Sequence, residues 1–136
     1  MDDAGPFDRL PVPRQLTGSE LDVARVLAAR LDAAVVDQLD AAVVVGTCRC
    51  GCGSVELATA APPLPTSWTV PGSTGGRPLH LAASTTGTRP GCPRVSVTLH
   101  LFRGRVGELE LFDAERGEGH AVEAADLVLD PDVEVC

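Results

Sequence analysis

The stretch Val95-Ser96-Val97-Thr98-Leu99-His100-Leu101-Phe102-Arg103-Gly104-Arg105-Val106-Gly107-Glu108-Leu109-Glu110-Leu111 decides the fold class. Val95, Val97, Leu99 and Leu101 alternate with Ser96, Thr98, His100 and Phe102, and Leu109 and Leu111 alternate with Glu108 and Glu110. A period of two over both runs marks an antiparallel strand pair with one apolar and one polar face. Opposed residues share a face, so odd positions must pair with odd. That parity predicts a three-residue loop, Phe102-Arg103-Gly104, with Gly104 left-handed, and sets Leu99 against Gly107 and Val97 against Leu109. The two-residue alternative would set Leu99 against Glu108.

Toward the N-terminus the period changes to that of a helix. Thr17 is an N-cap with Glu20 three residues on, a capping box, and Leu16 and Leu21 are placed to form the hydrophobic staple across it. Leu21, Ala24, Leu27, Ala28, Leu31, Ala34, Val35 and Leu39 then recur on one helical face. The spacing allows one long helix or two broken near Asp32, and two is the expectation. Val43-Val44-Val45 is β-branched and reads as a strand entered near Ala42, and Val55 and Leu57 begin another after a cysteine turn. Residues 60–78 hold five Pro and three Gly with no periodicity, a long loop. Leu127, Leu129, Val133 and Val135 mark a short edge segment. The expected fold is therefore α+β: an N-terminal helical layer on an antiparallel sheet of four to five strands, the 95–111 hairpin central. Residues 1–16, with Pro6, Pro11 and Pro13, read as a flexible arm, and 17–136 as a single domain.

Composition narrows the chemistry. The 136 residues, 44% apolar and 3% aromatic, suit one globular core. No Lys occurs, which removes a Walker phosphate loop and Schiff-base catalysis, and no Asn occurs, which removes an N-glycosylation acceptor. The net charge is −8 and the Arg are dispersed from Arg9 to Arg116, so nucleic acid is a poor partner and a basic protein a better one. No apolar run approaches a membrane span and Met1-Asp2-Asp3 lacks the basic start of a signal peptide. A cytoplasmic, soluble protein without membrane contact is expected.

Cys48, Cys50 and Cys52 are the unusual feature. On a straight strand alternate side chains sit roughly 7 Å apart, whereas sulfurs on tetrahedral zinc lie about 3.8 Å apart, so chelation requires a turn. Gly51 and Gly53 supply one, and Cys92, between Gly91 and Pro93, offers a fourth ligand. Three readings follow: core packing by small apolar thiols, which comes first; a closed, structural zinc site of Cys48, Cys50, Cys52 and Cys92; and a thiol redox pair, Cys50 and Cys52, with Arg49 depressing a neighbouring thiol pKa. Cys136, at the end of an acidic tail, is exposed and mobile unless that end is docked.

The segments Val44-Val45-Gly46-Thr47-Cys48-Arg49-Cys50-Gly51-Cys52-Gly53-Ser54-Val55 and Gly104-Arg105-Val106-Gly107-Glu108-Leu109-Glu110 resemble those of small uncharacterised proteins of high-GC bacteria, which share a helical N-terminus, a VVGxCxCGCxSV segment and a GRxxxLE strand pair. The resemblance implies helices before sheet and a break between two helices. It carries no activity. The loop at 60–78, Cys92 and Cys136 depart from the shared pattern.

Elsewhere, the hairpin places His100 on one face with Glu108 and Glu110, a polar sheet surface first and a tuned base second. His80, His100 and His120 are spaced by twenty residues, which is read as coincidence. No nucleophile elbow surrounds any Ser. Trp68 anchors the long loop to the core or, if exposed, serves as an interaction hot spot. The leading functional expectation is a non-enzymatic acidic protein that binds another protein, inhibitor-like or immunity-like, through the 60–78 loop and the polar sheet face, using Trp68, His100, Glu108 and Glu110. The alternative is zinc binding.

Overall fold

Thr17 accepts the Glu20 backbone N–H on its hydroxyl at 3.1 Å, and Glu20 accepts the Thr17 N–H at 2.9 Å, so the capping box forms and fixes where helix begins. The computed structural model describes residues 6–117 and 119–136. Through them the chain runs β1 (Phe7–Gln15), α1 (Gly18–Ala28), α2 (Ala33–Asp40), β2 (Ala42–Cys48), β3 (Val55–Thr59), β4 (His80–Arg89), β5 (Cys92–Phe102), β6 (Arg105–Asp113), β7 (Val128–Leu129) and β8 (Glu134–Val135). The helices do break near Asp32, whose carboxylate accepts the Ala34 N–H at 2.9 Å and caps α2.

All strand pairs are antiparallel, in the order β1-β2-β3-β6-β5-β4-β7, with β8 also on β4. Both helices lie on one face. Val23, Leu27, Val35 and Leu39 meet the inward residues of the central strands, Val97, Leu99, Leu109 and Leu111, in a single core. Among the described residues no helix is long and apolar enough to cross a membrane.

The α+β class, the two helices and the central hairpin agree with the sequence reading; three expectations change. The sheet has eight strands among the described residues, not four to five. The arm expected over 1–16 is, from Phe7 to Gln15, an edge strand on β2, so the fold starts with a strand. Its residues 1–5, including Met1-Asp2-Asp3, lie outside the described residues. Pro11 and Pro13 fall where the pairing with β2 is interrupted between Arg9 and Arg14, and an edge strand tolerates such gaps. Arg14 then grips Glu20 with both guanidinium nitrogens, at 2.9 and 3.1 Å, and ties β1 to α1.

The third change is the hairpin register. Leu99 opposes Leu109 and Val97 opposes Leu111, while Phe102 opposes Arg105. The loop is thus two residues, Arg103 and Gly104, both at positive φ (52° and 82°), as a type I′ turn requires. Parity is restored by a bulge, for the ladder steps from Leu101↔Val106 to His100↔Glu108 and leaves Gly107 as the extra residue. A Cβ on Gly107 would meet the Phe102 ring at 2.5 Å, so the bare glycine lets that ring lie over the bulge.

Residues 60–79 contain neither helix nor strand but are firmly bonded. Leu64 is fully buried, its N–H donates to the Gly104 carbonyl at 2.9 Å, and its carbonyl accepts from Arg77 at 2.6 Å. Gln38, also fully buried, donates to the carbonyls of Pro62 (3.1 Å) and Gly104 (2.8 Å) and accepts the Val106 N–H (2.8 Å). One amide therefore joins α2, the long loop and the hairpin turn.

Candidate metal centre

At the end of β2 the chain makes a tight turn in which the Gly51 N–H donates to the Cys48 carbonyl at 3.1 Å. This curls Cys50 back over Cys48, and their sulfurs approach to 3.2 Å. Gly53, at φ 98°, brings Cys52 to the same side, and the three sulfurs all lie within 4.8 Å of one another. Only glycine fits at 53, since a Cβ would stand 2.1 Å from the Val122 carbonyl oxygen.

Both flanks hold the turn. On one, the Arg49 N–H donates to the Pro6 carbonyl and its guanidinium to Asp8 at 2.8 Å. On the other, the Val122 N–H donates to the Cys52 carbonyl at 2.9 Å, and Val122 is buried. The buried Cys52 thiol donates to Ser54 Oγ at 3.2 Å, which in turn bonds the Leu111 backbone through both its N–H and its carbonyl. Strand β6 thus supports the turn from beneath.

The thiols are electrostatically unequal. Cys50 is lowered to about 7 by the Gly119 backbone N–H first, and then by the Cys52 and Cys48 thiols. Cys48 is pushed up to about 12 by burial and by its bond with Cys50. Arg49, expected to depress a thiol pKa, is engaged with Asp8. Cys92 does not join the three. It begins β5 opposite Arg89, with β6 between it and β3, and its thiol lies by the Asp113–Arg116 pair. The four-cysteine sphere expected from the sequence is therefore a three-cysteine cluster. Cys48, Cys50 and Cys52 line a pocket of about 430 Å³ whose other wall includes Glu108 and Glu110.

The remaining expected residues divide. His100, Glu108 and Glu110 do come together, their ligand atoms within 4.8 Å of one another, with His100 Nε2 2.8 Å from Glu110 Oε1. That bond raises the His100 pKa and lowers that of Glu110, whereas burial raises that of Glu108. Trp68 is half-buried and donates its indole N–H to Asp32 at 3.2 Å, so it anchors the loop to the α2 cap. Cys136 is exposed, but its backbone pairs with Ala82 in both directions and docks the chain end.

Sequence reading missed His80, which stands 2.8 Å from His100 Nδ1 and stacks on its ring at 5.0 Å. The signal was the alternation of Leu81, Ala83, Thr85 and Gly87 along β4, muted because those inward residues are mostly small. The chain matches no protein-family model, no curated protein and no solved structure.

Proposed function

We propose that the chain is a metal-binding protein whose Cys48-Cys50-Cys52 turn takes a thiophilic ion, zinc first among them. The supporting observation is the convergence of three sulfurs within 4.8 Å on a turn braced from both sides. Thiolates on zinc have bonds near 2.3 Å and stand about 3.8 Å apart, so modest side-chain adjustment meets the requirement. With three protein ligands a fourth position stays open, which distinguishes this site from a closed structural one. That position borders a pocket carrying carboxylates, suited to a water or a small donor ligand.

The net charge of −8 favours cations and basic partners over anions, and the reading keeps protein binding as the context in which the ion is held. Metal analysis of protein purified without chelator, followed by cobalt substitution, tests it. Bound zinc replaceable by cobalt, with sulfur-to-cobalt charge transfer in the near ultraviolet, supports the proposal. Metal-free protein that takes up neither ion defeats it.

One observation favours a second reading. The Cys48 and Cys50 sulfurs stand 3.2 Å apart, with Cys52 within 4.8 Å of both, so a thiol redox pair can be drawn from Cys48 with Cys50 as well as from Cys50 with Cys52. Oxidation of either pair would form an S–S bond and pass two electrons and two protons to a disulfide oxidant. Mass spectrometry of oxidised protein distinguishes the two pairings.

A further inference from the structure

The polar face of the sheet carries a second set of donors, with nitrogen and oxygen in place of sulfur. His100 on β5 lies directly opposite Glu108 on β6, and Glu110 is the diagonal neighbour whose carboxylate reaches His100 Nε2 at 2.8 Å. Two ligands with bonds near 2.1 Å on a tetrahedral ion stand about 3.4 Å apart, so exchanging the proton for an ion opens this pair by about 0.6 Å. The other ring nitrogen, Nδ1, bonds to His80 Nε2 at 2.8 Å. A metal-ligating histidine is almost always held in this way through its second nitrogen, which fixes the ring and its tautomer. The rings of His80, His100 and Phe102 lie nearly parallel in one group, with centroids 5.0, 5.1 and 6.2 Å apart.

The charge arrangement points the same way. Glu108 is paired across the ladder with Glu56 on β3, and Glu56 lies over Gly46, where a Cβ would stand 2.8 Å from its carboxylate. Like charges directly opposed on a sheet are destabilising. Among the described residues no arginine pairs with Glu56, Glu108 or Glu110; the protonatable partner is His100 alone. Two half-buried carboxylates beside one imidazole, with Glu56 opposite Glu108, leave a negative surplus that a divalent cation neutralises.

We infer that His100, Glu108 and Glu110 bind a first-row divalent cation, with His80 as the positioning residue behind His100, in a site that shares a pocket with the thiolates but uses none of them. One imidazole and two carboxylates suit zinc, cobalt or nickel and disfavour a soft ion such as Cu(I). On binding, the ion replaces the proton on His100 Nε2, and Nδ1–H donates to His80. Because the donor sets are disjoint, failure of either site leaves the other standing.

The test is a cobalt titration of reduced, chelator-stripped full-length protein, read by calorimetry and visible absorption. The variant Cys48→Ser/Cys50→Ser/Cys52→Ser is expected to bind one cobalt without sulfur charge transfer, and adding His100→Ala or Glu110→Gln is expected to abolish that binding. His80→Ala in the same background should weaken it about 10- to 100-fold. Should the thiol-deleted variant fail to fold, His100→Ala in otherwise unaltered protein decides the matter: one equivalent disappears and the charge-transfer band stays. No cobalt binding by folded thiol-deleted protein, or binding indifferent to His100→Ala, overturns the inference.

Discussion

Replacing Gln38 with Leu keeps the side chain's bulk and removes its polar atoms, which isolates the three bonds that join α2, the long loop and the hairpin turn. The Gly104 carbonyl keeps its bond from Leu64, and the Pro62 residue is exposed, so water can serve that carbonyl. The Val106 N–H is the costly loss, because Val106 is buried and the Gln38 oxygen at 2.8 Å is its partner. Two buried bonds at about 1 kcal/mol net each, with an orphaned donor adding roughly another 1 kcal/mol, predict a loss of about 3 kcal/mol. For a chain of this length that lowers Tm by roughly 10 °C, at about 3–4 °C per kcal/mol. Urea unfolding followed by Trp68 fluorescence measures it, with the m-value unchanged. A loss below about 1 kcal/mol would mean that solvent reaches Val106 and that the amide is not the clamp described.

Gly53→Ala introduces a Cβ against the Val122 carbonyl at a positive φ, so the cysteine turn must move; a stability loss of at least about 1–2 kcal/mol and weaker zinc uptake are expected from thermal melts and metal titration. Asp113 is held below the usual carboxylate range by the Arg116 backbone N–H first and its guanidinium besides. Its folded pKa being depressed, its contribution is present above the ordinary aspartate pKa and is lost as pH falls through the folded value, so Asp113→Asn should flatten the acid limb of stability against pH. Zinc affinity should fall as pH drops from about 8 to about 6, because each ligating thiol must lose a proton, and competition with a chromophoric chelator reads the slope. Air oxidation should give dimers that Cys136→Ser abolishes on non-reducing electrophoresis, since Cys136 is the exposed thiol; persisting dimers would implicate another cysteine.

Local signals were legible wherever one residue's chemistry decides a boundary. Thr17 with Glu20 marks the start of α1, and Asp32 caps α2 where the apolar period continues unbroken. The parity of the hairpin also held, because burying one face forbids an odd slip. Its register did not, because a two-residue turn with a bulge at Gly107 satisfies the same parity over Val97 and Leu99 as a three-residue loop. Strand β1 was hidden by Pro11 and Pro13, which an edge tolerates, and β4 by the small inward residues Ala83 and Gly87. At the site, Gly51 and Gly53 foretold a chelating turn, whereas excluding Cys92 required knowing that β6 inserts between β3 and β5, a long-range pairing no local pattern carries.

The most direct test of thiolate metal binding is to map which cysteines zinc shields. Reduced protein, with and without zinc, is alkylated briefly and each of the 5 Cys is quantified by mass spectrometry of its peptide. Zinc is predicted to protect Cys48 and Cys50 together, Cys52 being buried in both samples, while Cys136 reacts fully in both. Equal alkylation of Cys50, the more acidic thiol, with and without zinc would contradict the account.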